Sequence, residues 1–207
     1  LGKSEEYSAT PVQLNYFGTK LVAYRGKDDQ LIILDGYCPH MGADLSLGYV
    51  EDDSLRCSMH SWRWGSDGVC NDIPYAKNIP PKACIKPWPT LERNGLVYVY
   101  NDPEDNPPIE EQKPPVMPEC TNGEWSGWEV ALIPINTNCR ELVDNMADKA
   151  HFGPVHYSTV KSFSNEQDGH RFIQYMVGGH EILTEGECPM TSVATYEGPA
   201  YMTTTMT

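Results

Sequence analysis

The sequence predicts an α+β protein: an all-β N-terminal domain, a proline-rich linker, and a second domain that opens with a helix. Three observations predict it. Short apolar runs recur between tight polar turns over residues 10–65 and again at 95–100, the signature of strands and hairpins. Residues 101–118 then hold Pro103, Pro107, Pro108, Pro114, Pro115 and Pro118 among acidic side chains, too much proline for regular structure. After it, residues 138–150 follow a helical pattern. The first domain is expected over residues 1–110, with the linker reaching about 118, and the second over 119–207.

The elements follow in chain order. Residues 12–17 alternate apolar and polar side chains, as a half-buried strand does. Residues 21–24 and 31–34 flank a polar stretch, as in a hairpin. Residues 48–50 and 55–57 flank Glu51-Asp52-Asp53-Ser54, another tight turn. Residues 95–100 form a further strand. Beyond the linker, residues 125–135 read as a strand. The helix over 138–150 has Thr137 or Asn138 as its N-cap and Gly153-Pro154 as its end. Residues 171–176 and 181–184 are strand-like.

The chain has 207 residues, 40% hydrophobic and 21% charged, an ordinary globular composition. Its formal net charge of −14 argues against nucleic acid and anionic membranes, which need a basic footprint. The longest aliphatic stretch, Leu31-Ile32-Ile33-Leu34, is far short of a membrane span. No charged-then-apolar leader opens the chain, which begins inside what reads as a folded segment. Seven cysteines at irregular spacing do not read as a secreted disulfide framework, so a cytoplasmic location is expected.

Two of those cysteines have metal-ligand neighbours. Cys38-Pro39-His40 is followed, after sixteen residues, by Cys57-Ser58-Met59-His60. Each arm supplies one thiolate and one imidazole. A Rieske-type [2Fe–2S] cluster needs two thiolates on one iron and two imidazoles on the other. Tetrahedral zinc is the alternative for two Cys and two His, but zinc fingers pair Cys with Cys and His with His. Gly42, Gly48 and Gly65 supply turn flexibility around the arms, and Trp62 and Trp64 can shield a cluster or simply fill the core.

A second constellation lies at Asn145, Asp148, His151 and His156. On a continuous helix Asn145, Asp148 and His151 share a face, while His156 sits about 140° from His151. The helix must break before both imidazoles meet one metal, and Gly153-Pro154 is expected to break it. Two neutral imidazoles suit ferrous iron, and one carboxylate completes a 2-His-1-carboxylate triad.

With the Cys/His arms in front, Asp-x-x-His-x4-His resembles the catalytic subunit of Rieske non-haem iron oxygenases. More narrowly, the chain resembles the oxygenase components of 3-ketosteroid 9α-hydroxylase. The closer match rests on Phe17-Gly18-Thr19-Lys20-Leu21-Val22, Cys38-Pro39-His40-Met41-Gly42, His60-Ser61-Trp62-Arg63-Trp64-Gly65 and Ile73-Pro74-Tyr75-Ala76. It continues through Asn136-Thr137-Asn138-Cys139-Arg140-Glu141 and from Asp144-Asn145 to His156. One departure is Ser58-Met59, where the wider family commonly has Pro-Phe.

The resemblance implies that the second domain is part of a helix-grip (START-like) fold. It implies Cys38, His40, Cys57 and His60 as cluster ligands and His151 and His156 as ligands of a mononuclear Fe(II). Asp148 would link that iron to a Rieske histidine of a neighbouring subunit in a homotrimer, and Asn145 would stand near the iron. Partners would be an NADH-dependent flavin and iron–sulfur reductase, O2 and a steroid-like substrate, the reaction a monooxygenation. The family's carboxylate ligand lies beyond Thr207, so a fragment is expected; Asp168, Glu181, Glu185 and Glu187 are the acids at hand. Sterol desaturation and attack on aromatic acids are the neighbouring chemistries. A Rieske electron carrier is the non-enzymatic alternative, and it has no need of Asp148, His151 and His156.

Overall fold

The computed structural model describes residues 1–180, 189–198 and 201–207, and the chain divides into two compact units. The first comprises Leu1–Pro108 with Pro115–Val130, the second Ile109–Pro114 with Ala131–Thr207. The expected strand over 181–184 lies outside the described residues.

The first unit contains β1 (Gly2–Lys3), β2 (Val12–Tyr16), β3 (Thr19–Arg25), β4 (Leu31–Asp35), β5 (Tyr49–Glu51) and β6 (Ser54–Arg56). It continues with β7 (Arg63–Trp64), β8 (Cys70–Asp72), β9 (Thr90–Arg93) and β10 (Leu96–Val99). The sheets are antiparallel, in the orders β2-β3-β4, β5-β6-β7-β8 and β1-β10-β9.

β3 and β4 form a hairpin that pairs Val22 with Leu34 and Tyr24 with Ile32. Its turn closes with Gly26 N–H donating to the Gln30 carbonyl at 3.0 Å. Both faces of this hairpin are buried. Val22, Tyr24, Ile32 and Leu34 enter one core with Leu45, Leu55 and Trp64. Leu21, Ala23, Leu31 and Ile33 enter a second core with Trp88 and Val97. Successive side chains on a strand face opposite ways, so a strand buried on both sides is apolar throughout. Hence residues 21–24 and 31–34 read as unbroken apolar runs, while β2 at the sheet edge alternates.

β3 ends in Arg25, which ties the N-terminal segment to β9. Its guanidinium donates to Glu92 through two nitrogens, at 2.6 and 3.2 Å, and to the carbonyls of Tyr7 and Ser4 at 3.0 and 2.9 Å. The Ser4 hydroxyl donates to the same carboxylate. The Arg25 guanidinium holds the Glu92 carboxyl below its ordinary range, and outweighs the opposing effect of burial.

The second unit contains α1 (Arg140–Ala147), α2 (Phe152–His156), β11 (Ser158–Asp168), β12 (Arg171–His180), β13 (Met190–Gly198) and β14 (Tyr201–Met206). The four strands form one antiparallel sheet in sequence order. Gln174 pairs with Ala194 and Met176 with Ser192, so these four buried residues share a face. The Gln174 amide donates to the Met146 carbonyl at 2.6 Å and the Asn165 amide to that of Ala147 at 3.3 Å. Sheet side chains thus satisfy carbonyls in the last turn of α1 that no helix N–H reaches. The α+β class is as expected.

Two local expectations fail. Residues 125–135 form no strand, and Leu132 and Ile133 are 92% and 76% exposed. Apolar periodicity there finds no pairing partner among the described residues, and a lone strand leaves its backbone unsatisfied. The helix over 138–150 is also shorter than expected. It begins after Cys139, with the Asn138 carboxamide oxygen accepting from Arg140 N–H at 2.9 Å, and it ends at Ala147. Asp148 is extended (φ −84°, ψ 108°), and its carboxylate accepts Ala150 N–H at 2.7 Å. That side chain competes for the backbone and stops the helix. Gly153-Pro154 therefore ends nothing. It lies in the first turn of α2, where proline's missing N–H is not needed.

Two outcomes follow. Leu34→Ala should cost about 2–5 kcal/mol of unfolding free energy, while Leu132→Ala should change it by less than about 0.5, both read by urea titration. Glu92 has a folded-state pKa below its unfolded one, so its contribution is complete above the unfolded value and fades as pH falls through the depressed value. Glu92→Gln should cost about 1 kcal/mol near about pH 7, allowing for partial exposure, and nothing measurable near about pH 2.

Candidate metal centre

The β4 strand leads directly into the first arm and β6 into the second. The two arms share one backbone construction. In the first, Gly42 N–H donates to the Cys38 carbonyl and Cys38 N–H to the Ala43 carbonyl, both at 2.8 Å. In the second, Ser61 N–H donates to the Cys57 carbonyl and Cys57 N–H to the Trp62 carbonyl, both at 3.0 Å. The residue four past each cysteine has a left-handed backbone: Gly42 at φ 73° and Ser61 at φ 59°. Gly42 suits this position without strain, whereas Ser61 accepts it.

Arg56, beside Cys57, braces the second arm. Its guanidinium donates to Glu51 at 2.7 Å, to Asp72 at 2.6 Å and to the Ser61 carbonyl at 2.8 Å. In the first arm Asp44 accepts from Lys20 Nζ and from Ser46 Oγ, each at 2.7 Å, and so closes the turn through Leu45–Leu47.

The arms bring all four candidate ligands together as two pairs. Cys38 and Cys57 are each 1% exposed and lie in one buried core. The His40 and His60 rings meet edge to face at 4.7 Å between centroids. Trp62 stacks on His40 at 4.5 Å and 12°, and its Nε1–H donates to the Tyr75 hydroxyl at 2.6 Å. The imidazole plane is therefore fixed from one side by a tryptophan that is itself anchored.

Burial pushes the Cys38 thiol up to about 11; the His40 N–H and the Trp64 indole pull it down, and Cys57 raises it further. Such a thiol is anionic when a cation sits on it. Among the described residues no three of His, Cys, Asp and Glu converge on one metal-sized point. Two buried sulfurs on one side and two imidazoles at the rim suit a two-iron group, with one pair per iron. The donor set thus fits a [2Fe–2S] cluster. The other described cysteines, Cys70, Cys84, Cys120 and Cys139, are free thiols.

In the second unit His151 and His156 meet at 5.0 Å between ring centroids, with planes at 71°. Their approach comes from the turn at Asp148–His151 and the short α2. Phe152 packs edge to face on Phe163 of β11 at 5.8 Å, which seats α2 on the sheet. His151 Nδ1 lies 2.7 Å from the Asp148 carbonyl oxygen. A carbonyl only accepts, so Nδ1 is the protonated nitrogen and Nε2 keeps its lone pair for a metal. The Asp148 carboxylate lies 3.6 Å from the same Nδ1. Asn145 is exposed on α1, and its carbonyl accepts Asp148 N–H at 3.3 Å. With the helix ended at Ala147, Asn145, Asp148 and His151 do not share the helical face expected for them.

The acids downstream divide. Asp168 ends β11 and pairs with Arg171 across the hairpin turn. An eleven-residue strand carries it about 30 Å from the histidine end, too far to complete the pair. Glu181, Glu185 and Glu187 lie outside the described residues. Sequence reasoning also missed the Gln174 and Asn165 clamps on α1. Their signal was weak: Asn165 sits on a strand of mostly polar residues, and Gln174 is a single polar side chain within an apolar one.

Comparison with known proteins gives the same division of labour. The Rieske [2Fe-2S] domain family matches residues 1–89, and the 3-ketosteroid 9alpha-hydroxylase C-terminal domain family matches 99–207. A 3-ketosteroid-9-alpha-monooxygenase oxygenase component of Rhodococcus rhodochrous is 44% identical over 93% of this chain and 51% of its own length. One from Mycolicibacterium smegmatis is 41% identical over 98% and 55%. A cholesterol 7-desaturase of Ciona intestinalis is 33% identical over 74% and 32%. The chain spans about half the length of the curated oxygenase components it matches. Among solved structures, dicamba monooxygenase bound to dicamba superposes with a TM-score of 0.73 at 20% identity, over 99% of this chain and 64% of the other. That likeness shows the fold. No helix among the described residues is long and apolar enough to cross a membrane. With a Rieske domain in front and the hydroxylase domain over more than half its length, the chain belongs to the 3-ketosteroid 9α-hydroxylase branch of the Rieske non-haem iron oxygenases.

Proposed function

We propose that this chain is the front part of the oxygenase component of a Rieske monooxygenase that hydroxylates a steroid at the expense of O2 and reductase-supplied electrons. The observation that carries the reading is the His151–His156 pair at 5.0 Å, in the same chain as the Cys/His arms. An electron carrier has a use for the arms and none for the pair. The names of the bacterial relatives supply the steroid.

In this reading residues 1–110 hold the cluster through Cys38, His40, Cys57 and His60, and residues 119–207 begin the iron domain, with His151 and His156 as ligands. When bound, the cluster supplies one-electron transfer and the ferrous iron supplies O2 activation. The chain's own residues do the rest. Burial keeps water from Cys38 and Cys57, Trp62 holds the His40 ring, and the Asp148 carbonyl holds the Nδ1 proton of His151 so that Nε2 faces the metal. The Asp148 carboxylate accepts Ala150 N–H and lies 3.6 Å from His151 Nδ1; in this reading it links His151 to a Rieske histidine of a neighbouring subunit in a homotrimer. Asn145 stands near the iron as a polar neighbour. An NADH-dependent flavin and iron–sulfur reductase is the partner, and the cytoplasm the location.

The sterol desaturase among the relatives favours one second reading, oxidation of a sterol ring by the same centre without oxygen insertion. Product analysis separates the two.

The test is His151→Ala in the full-length protein with its reductase and a 3-ketosteroid. Hydroxylated product should fall below detection while the Rieske absorbance persists, and iron should drop from about three to about two per subunit. Retained turnover would sink the oxygenase reading.

A further inference from the structure

Trp64 is fully buried on β7, four residues past His60, in the core that also holds Cys38 and Cys57. Its backbone is fixed by pairing with Leu55 and Cys70. Its indole Nε1–H has no hydrogen-bond partner. A buried N–H left unpaired is costly, and a buried tryptophan ordinarily finds an acceptor. Nearby Trp62 does so, donating to Tyr75. Trp64 has no such partner, and the buried sulfurs of Cys38 and Cys57 share its core. A neutral thiol is a weak acceptor. A thiolate is a much stronger acceptor.

We propose that Trp64 is a tuning residue: its Nε1–H donates to a cysteine sulfur of the site, Cys38 or Cys57, once that sulfur ligates iron, and so raises the cluster's reduction potential. The inference rests on Cys38 and Cys57 being cluster ligands. Reduction adds one electron and breaks no bond, so the reduced cluster is more negative by one charge. A donor aimed at a ligand sulfur stabilises that form more than the oxidised one. The indole shares an apolar core with Leu55, Ile73 and other buried side chains, where the bond is strengthened by the low dielectric.

The test is a dye-mediated redox titration of the cluster-loaded, full-length protein, wild type against Trp64→Phe. The variant should keep the Rieske spectrum and hold its electron about tenfold less tightly, about 59 mV lower for one electron. A second readout uses tryptophan labelled with 15N in the indole. Wild-type reduced protein should show a 15N hyperfine coupling that Trp64→Phe loses. Benzothienylalanine at position 64 keeps the shape and removes the N–H, and decides the matter if Trp64→Phe fails to load. An unchanged potential in the N–H-free protein, or no indole coupling in the wild type, overturns the proposal. A wild type with no Rieske signal would instead overturn the ligand assignment itself.

Discussion

Burial of one hairpin on both faces is the constraint on which the first unit depends. β3 and β4 cannot tolerate a polar side chain between Leu21 and Tyr24 or between Leu31 and Leu34, because every position enters one core or the other. Their outer ends carry the charged groups instead, with Arg25 leaving one strand and Asp35 ending the other. Since β4 runs straight into the first arm, the position of Cys38 is inherited from the packing of Leu34. The second arm is fixed to the same core through Leu55, Cys57 and Trp64. The candidate cluster site is thus an extension of a hydrophobic core rather than a loop resting on it.

A chain with net charge −14 holds its critical joints with arginine. Arg25 and Arg56 each gather two or more oxygens from segments distant in sequence. The planar guanidinium has five donors in a fixed fork, so one side chain can satisfy several carbonyls and carboxylates at once. Lysine in either place would supply the charge without the geometry.

The legible parts of the sequence were those where chemistry dictates residue type. Cys38, His40, Cys57 and His60 stand out because only those side chains ligate iron in that combination, and the pairing of arms is set by spacing. The apolar runs of β3 and β4 were equally plain. The helix end was not, because it depends on whether the Asp148 carboxylate turns back to Ala150 N–H, a local competition that leaves no periodic trace. Gly153-Pro154 misled for the complementary reason: proline breaks a helix in its interior and begins one comfortably in its first turn. β11 and β13 were missed because their buried residues are Ser158, Ser192 and Ala194, small side chains that hydropathy undervalues, and β14 because none of its residues is buried. The runs of Thr and Tyr in Met190–Gly198 and Tyr201–Met206 carried the β-propensity signal that would have found them.

The matched construction of the two arms has an evolutionary consequence. The turns are closed by main-chain groups, from each cysteine to the residues four and five further on, so they make few demands on the side chains in between. Pro39, Met41, Ser58 and Met59 all face solvent. Those positions, Ser58-Met59 among them, can change without loosening the arms. They also lie beside the two imidazoles, so the chemistry of that rim can vary while the arms that hold the ligands stay as they are.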